Sequence, residues 1–160
     1  MLASSGCDIG YFGATNSSYV GRPDLQVHGM LTAGDYSFMN RFLKLGKAFT
    51  EDVGTSTDYG PFASGLVAAS TLLHPAAEGT VQLPDPTSVD QEKPKIMYEA
   101  FGEEEDVMRL VEGIRRIQVI MKQAPMAKYK PELLHSKSLA REFGQDSDVY
   151  WAEYIKRFGF

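Results

Sequence analysis

The stretch from Val107 to Lys122 constrains this chain more than any other. Val107, Leu110, Val111, Ile114, Ile117 and Met121 recur at spacings of three and four, which puts them on one face of a helix. Arg109, Glu112, Arg115, Arg116 and Lys122 take the other face. Glu103, Glu104, Glu105 and Asp106 precede the helix and basic residues end it, so both ends suit the helix dipole. The acidic run reads most simply as a solvated helix start, and Pro125 follows the end. A one-faced helix needs a second layer to cover its apolar stripe.

That layer is read upstream. Cys7 to Ala14 has the character of a strand with a glycine-rich, close-packed surface. Thr15 to Pro23 holds Asn, Ser, Gly and Pro and reads as a turn. Asp24 to Met30 alternates: Leu25 and Val27 face one way, and Asp24, Gln26 and His28 the other. A turn between two strands implies an antiparallel pair. Phe38, Met39, Phe42, Leu45 and Phe49 predict a short amphipathic helix over Tyr36 to Phe49, with Asp35 as N-cap and Gly46 weakening it. Thr50 to Phe62 reads as a loop. Ala63 to His74 suits helix or strand by itself; Pro75 and Gly79 after it, with Thr80 to Leu83 reading as its partner, favour a strand. A proline-bearing loop, Pro84 to Pro94, leads to a short extended piece, Lys95 to Tyr98. Val149, Tyr150, Trp151, Tyr154, Ile155 and Phe158 predict a last amphipathic helix from Asp148 to Phe158. Strands come first and helices later, so the fold class is α+β within one domain of 160 residues.

Composition closes several functional classes. A net charge of −5 argues against a nucleic-acid partner, which calls for a basic face. The longest apolar run, Gly65 to Leu73, is short and broken by Ser70 and Thr71, so no membrane span is expected. Cys7 is the lone cysteine, which excludes a disulfide framework and a cysteine-rich zinc site. Met1 to Cys7 lacks the basic and apolar regions of a signal peptide. Asn16-Ser17-Ser18 fits a glycosylation acceptor that would matter only in a secreted parent. No two glycines lie two apart, so the G-x-G-x-x-G dinucleotide loop is absent, as is a G-x-S-x-G elbow. His28, His74 and His135 are far apart and outside any zinc-protease spacing, so no metal site is expected.

A few residues carry possible chemistry. Asp8, on the first strand, reads as a buried acid or base, or as a strand-end carboxylate bonded to backbone. His28 stands on a polar strand face, where it reads as a contact to a substrate hydroxyl or as a structural histidine. His74, before Pro75, suits a turn. Trp151 and Tyr154 suit core or interface better than ligand stacking.

Longer stretches resemble the animal branch of the glucose-methanol-choline (GMC) family of FAD-dependent oxidoreductases. Leu2-Ala3-Ser4-Ser5-Gly6 through Phe12 is similar to the segment that opens the family's substrate-domain sheet. Arg22-Pro23-Asp24-Leu25-Gln26-Val27-His28 resembles its R-P-D-L-Q-x-H strand, and Leu72 through Leu83 its L-L-R-P-x-S-R-G-x-V-x-L hairpin. Glu105 through Ile114 resembles its D-x-x-x-L-V-x-G-I helix start, and Asp146 through Trp151 its S-D-x-Y-W helix. His74 and Glu78 stand where the hairpin motif has arginines, which puts the ion pairs of those arginines in doubt.

The resemblance implies an incomplete substrate-binding domain over residues 1–160, an antiparallel sheet flanked by helices. It implies FAD in the whole protein, an alcohol or sugar donor oxidised at its CH–OH group, and a partner domain that binds the flavin. The flavin-binding segment is expected before Met1, and the H-P-x-G-T/S-C stretch with the catalytic histidine beyond Phe160. No catalytic residue is therefore assigned within the chain, which is expected to be inactive alone. Asp8 falls where choline-type members place an acidic residue facing a cationic group. Ser70 and Thr71 fall near the cavity-facing part of a strand in sugar-oxidising members, and Tyr11 and Phe12 are expected on the same wall. The rival expectation is a truncated, non-catalytic module that binds a hydroxylated small molecule. Trp151, Tyr154, Phe158 and Phe160 crowd the C-terminus and are expected to lie exposed where a missing domain would pack.

Overall fold

The computed structural model describes residues 9–15, 21–33, 52–53, 64–83 and 93–159, with backbone alone for 31–33 and 64. The elements described from end to end are five strands followed by four helices, and Asp52 and Val53, ahead of β3, are helical too, in keeping with the α+β expectation. The strands are β1 (Ile9–Gly13), β2 (Leu25–Ala33), β3 (Ser64–Leu72), β4 (Gly79–Gln82) and β5 (Lys95–Tyr98). The helices are α1 (Glu104–Met121), α2 (Ala124–Ala127), α3 (Lys137–Phe143) and α4 (Asp148–Phe158). The helix expected over Tyr36 to Phe49, Cys7 and the Asn16 acceptor lie outside the described residues.

β1, β2 and β3 form one antiparallel sheet in that order. Phe12 pairs with Gln26 and Gln26 with Thr71; Tyr11 pairs with Val27 and Val27 with Ser70. Paired residues share a face and successive ones alternate. One face therefore carries Tyr11, Leu25, Val27, Ser70 and Leu72, and α1 packs on it. Gly113 makes that close approach possible: a Cβ there would collide with Ser70 Oγ and press on the Leu25 methyls at 3.0 and 3.1 Å. The far side of α1 meets α4, and α3 packs on α4. Their core holds Val107, Leu110, Val111, Leu139, Tyr150, Trp151 and Ile155.

Two expectations are corrected here. β4 pairs with β5, in a separate two-stranded sheet, and not with β3. β3 pairs with β2 along all nine of its residues. The chain after it is held to α1 instead, since Ala76 and Ala77 N–H donate to the Asp106 carboxylate. The C-terminal aromatics are also not a bare surface. Trp151 is 4% exposed, and Tyr154 and Phe158 are partly buried and pack against the same core. Their rings follow one another edge to face, Trp151 to Tyr154 at 5.4 Å and Tyr154 to Phe158 at 5.0 Å between centroids. Phe160 lies outside the described residues.

The short helices α2 and α3 carry no strong apolar period, and the sequence pattern places neither. Ser136 caps it by accepting from Leu139 N–H at 3.1 Å. In the region expected to be a loop, Asp52 and Val53 are helical; Val53 is buried, and Asp52 accepts from Ser136 Oγ, Ser138 N–H and Ser138 Oγ.

Candidate functional site

The face of the first sheet turned away from α1, called the open face because no described element packs on it, is the candidate site. Strand alternation brings Gly10 and Phe12, Gln26, His28 and Met30, and Val67, Ala69 and Thr71 to the side away from α1. Phe12 is 57% exposed and Thr71 is exposed; Gln26 and His28 are half-buried. Gln26, His28 and Thr71 make no side-chain hydrogen bond with a described residue. Polar groups on a structured sheet, turned outward and without a partner among the described residues, can bind water or a ligand.

The row Phe12–Gln26–Thr71 runs across all three strands. In the neighbouring row His28 stands between Gly10 and Ala69, which rise no further than a hydrogen and a methyl. Beyond it come Met30 and Val67, themselves a cross-strand pair. On this face the imidazole thus stands between two small residues, with an aromatic ring, an amide and a hydroxyl in the row on one side and apolar groups in the row on the other.

The six sequence candidates divide. Phe12, His28 and Thr71 come together on this face. Tyr11 and Ser70 sit on the opposite one, which corrects the expectation that Tyr11 and Phe12, or Ser70 and Thr71, line one wall: neighbours along a strand point to opposite sides. Tyr11 OH accepts from Arg116 Nη1 at 3.1 Å, and Arg116 also bonds Ala14 O and Glu112, pinning β1 to α1. Ser70 Oγ is buried against Gly113 with no partner among the described residues. Asp8 lies outside the described residues. Gln26 belongs to the site and was legible only as part of a polar strand face.

What holds the sheet in place is a buried charged knot that the sequence did not announce. Asp24, expected on the polar face, is fully buried; it accepts from Thr15 N–H at 2.7 Å and Thr15 Oγ1 at 2.5 Å. Asp106, expected in a solvated run, is fully buried as well, and Arg109, expected on the polar helix face, is 5% exposed. Arg109 bonds Asp106, donates to His74 O at 3.2 Å and stands 3.6 Å from Asp24. Desolvation pushes both carboxyls up, but the hydrogen bonds from Thr15 to Asp24, those from Ala76 and Ala77 to Asp106, and the Arg109 charge outweigh it. Both pKa values end below the ordinary aspartate range. The knot ties the start of β2, the turn after β3 and the first turn of α1 into one support beneath the open face.

A second cluster joins α1 to α4. Asp146, in the left-handed region at φ 67°, accepts from Arg115 Nη1 and Gln118 Nε2 at 2.7 Å each and from Trp151 Nε1 at 2.6 Å. Arg115 also meets Asp148. These bonds are structural. A shallow cleft lined by Leu139, Phe143, Glu142, Glu153, Lys156 and Arg157 holds none of the candidates. Among the described residues no group of three or more His, Cys, Asp or Glu side chains is placed to hold a metal ion. Among them, too, no helix is long and apolar enough to cross a membrane. Compared with protein-family models and with curated proteins, the sequence matches none.

Proposed function

We propose that this chain supplies part of the substrate-cavity wall of a flavin-dependent oxidoreductase of the GMC kind, acting on the CH–OH group of an alcohol or sugar. The observation that carries the reading is the open face: Gln26, His28 and Thr71, with no side-chain hydrogen bond among the described residues, stand beside Phe12 on a sheet braced from behind by α1. A wall of that make orients a hydroxylated molecule through hydrogen bonds and covers its apolar side. The five motif stretches of the sequence add to it.

The residues of this chain do not fit the flavin itself. No two glycines lie two apart, so no backbone loop of the dinucleotide kind is present to cradle a pyrophosphate. FAD would supply hydride acceptance from a part of the protein other than these residues. The chain's own work is to bind, orient and exclude water.

A second reading, a non-catalytic module for a hydroxylated small molecule, is favoured by the burial of Trp151 and the packing of Tyr154 and Phe158. Those aromatics need no further domain to cover them.

One experiment separates the two. The native protein is purified from its source, recognised by the proteolytic peptide covering residues 107–122, weighed intact, and examined for flavin absorbance before and after anaerobic addition of sugars and alcohols. The expected outcome is a mass several-fold above 17.7 kDa with bound flavin that bleaches. A mass of 17.7 kDa without flavin overturns the oxidoreductase reading and leaves the binding module.

A further inference from the structure

We propose that the end of α1 and the turns after it form a docking surface for an anionic lipid bilayer. The proposal rests neither on the open face nor on flavin chemistry.

The sequence has no Asp or Glu between Glu112 and Glu132, while Arg115, Arg116, Lys122, Lys128 and Lys130 fall there. The two arginines are spent within the protein, Arg115 on Asp146 and Asp148 and Arg116 on Glu112. The three lysines are exposed. Consecutive turns gather them. Gln123 N–H donates to Ile120 O at 3.0 Å, Met126 N–H to Gln123 O at 2.9 Å, and Lys130 N–H to Ala127 O at 2.9 Å. α2, between Lys122 and Lys128, is a single turn of four residues, about 6 Å long. Val119, Ile120, Tyr129 and Leu133 are exposed on the same stretch. Lys128 Nζ stands 4.8 Å from the centroid of the Tyr129 ring. A tyrosine ring beside an ammonium suits a headgroup layer, the ring at its apolar boundary and the charge among the phosphates.

Two observations choose a lipid surface over other partners. The first is where the charge lies. The chain carries −5, yet this end is basic, and Glu103, Glu104 and Glu105 are exposed at the start of α1. The 18 residues of that helix separate the two ends by about 27 Å, well beyond the Debye length of about 8 Å at physiological salt. An anionic surface therefore attracts one end of α1 and not the other, which stands the molecule on its basic end. The second is shape. Residues 122–125 and 127–133 are exposed without a break in either run, so basic and apolar groups intermingle on an outer surface. A partner helix calls for a groove with an apolar floor. A bilayer surface takes intermingled groups, the aliphatic ones entering the headgroup boundary while the lysines meet phosphates.

The test is co-sedimentation of the full-length protein with vesicles of phosphatidylcholine alone and of phosphatidylcholine with about one third phosphatidylserine. Binding to the mixed vesicles is expected to be at least about tenfold tighter than to the neutral ones, and to weaken as salt rises. Lys128→Glu with Lys130→Glu weakens it by about 20-fold or more, at about fivefold for each lysine lost. Lys93→Glu with Lys95→Glu makes the same change of net charge at β5 and leaves binding within about threefold. Tyr129→Ser, and separately Val119→Ser with Ile120→Ser, each weaken it by about 3- to 10-fold. Equal binding to neutral and mixed vesicles overturns the proposal, as does binding to neither. Equal loss in the two lysine pairs does so too, since net charge alone would then act. Indifference to both apolar variants also overturns it and, with tight binding of polyglutamate, marks an acidic polypeptide as the partner instead.

Discussion

Gly113 and Ser70 meet where α1 crosses the sheet, and the contact shows how closely two residues can depend on each other. Ser70 Oγ is buried there without a partner among the described residues, which costs the folded state the hydration of a hydroxyl. Ser70→Ala is therefore expected to be neutral or stabilising by up to about 1 kcal/mol. Gly113→Ala forces a methyl onto Ser70 Oγ and the Leu25 methyls and is expected to cost about 1–3 kcal/mol. In the Ser70→Ala background that cost falls, because the collision with Oγ is gone while the Leu25 contact remains. Urea unfolding of the two single variants and the double variant gives the coupling directly. A strictly additive pair would mean that the helix stands further from the sheet than described.

At the scale of elements, helix ends and junctions hold the arrangement. Ser147 caps α4 by accepting from Tyr150 N–H at 3.0 Å, and its hydroxyl donates to Phe143 O at the end of α3. Ser147→Ala is expected to lower stability by about 1 kcal/mol, read as a shift of the thermal midpoint with the α1–α4 core intact. The junction of β2, the turn after β3 and α1 depends on charge instead. Asp24 and Asp106 both titrate below 3.8, the ordinary aspartate value, in the folded chain. A carboxyl depressed by folding contributes stability that is complete above its unfolded pKa and is lost as pH falls through the lower folded value. Stability should thus hold to about pH 4 and drop below it, and Asp52 and Asp146, also depressed, act in the same direction. Asp106→Asn leaves Arg109 short of a buried partner and is expected to cost about 3 kcal/mol at neutral pH. Its unfolding free energy should then fall less steeply below pH 4 than that of the unaltered chain. Parallel acid limbs would remove Asp106 from the account.

For the whole molecule, the β4–β5 ribbon stands apart from the two packed layers. Val81, Ile96 and Tyr98 lie on one of its faces, with Leu83 just beyond, and they are 66%, 70%, 71% and 80% exposed. Little of the folding free energy is stored there. The double substitution Val81→Lys with Ile96→Glu, an opposite-charge cross-strand pair, should leave the main unfolding transition within about 0.5 kcal/mol. It should also lower concentration-dependent light scattering, since exposed apolar strands invite association. A large loss of stability would show that the ribbon is covered in solution.

α1 and α4 were legible because their apolar residues recur at the helical period, and that period depends on nothing outside the segment. β2 was legible from its alternation, β1 from its glycine-rich stretch before a turn, and β3 from the turn residues after it, although the hairpin partner that supported β3 was the wrong one; the α+β class followed from their order. Within the candidate site, His28 and Gln26 could be placed on one strand face, since alternation is local too. The partner of β4, the short helix α3 and the division of Tyr11 from Phe12 and of Ser70 from Thr71 depended on which surfaces meet. The same is true of the burial of Asp24, Asp106 and Arg109. A charged side chain reads as solvated until a partner arrives from elsewhere in the chain. Here Arg109 finds Asp24 from β2 and His74 O from the turn after β3, across 85 and 35 positions of sequence respectively. Periodicity is a property of neighbours along the chain; pairing and burial are properties of neighbours in space, and only the tertiary structure brings those together.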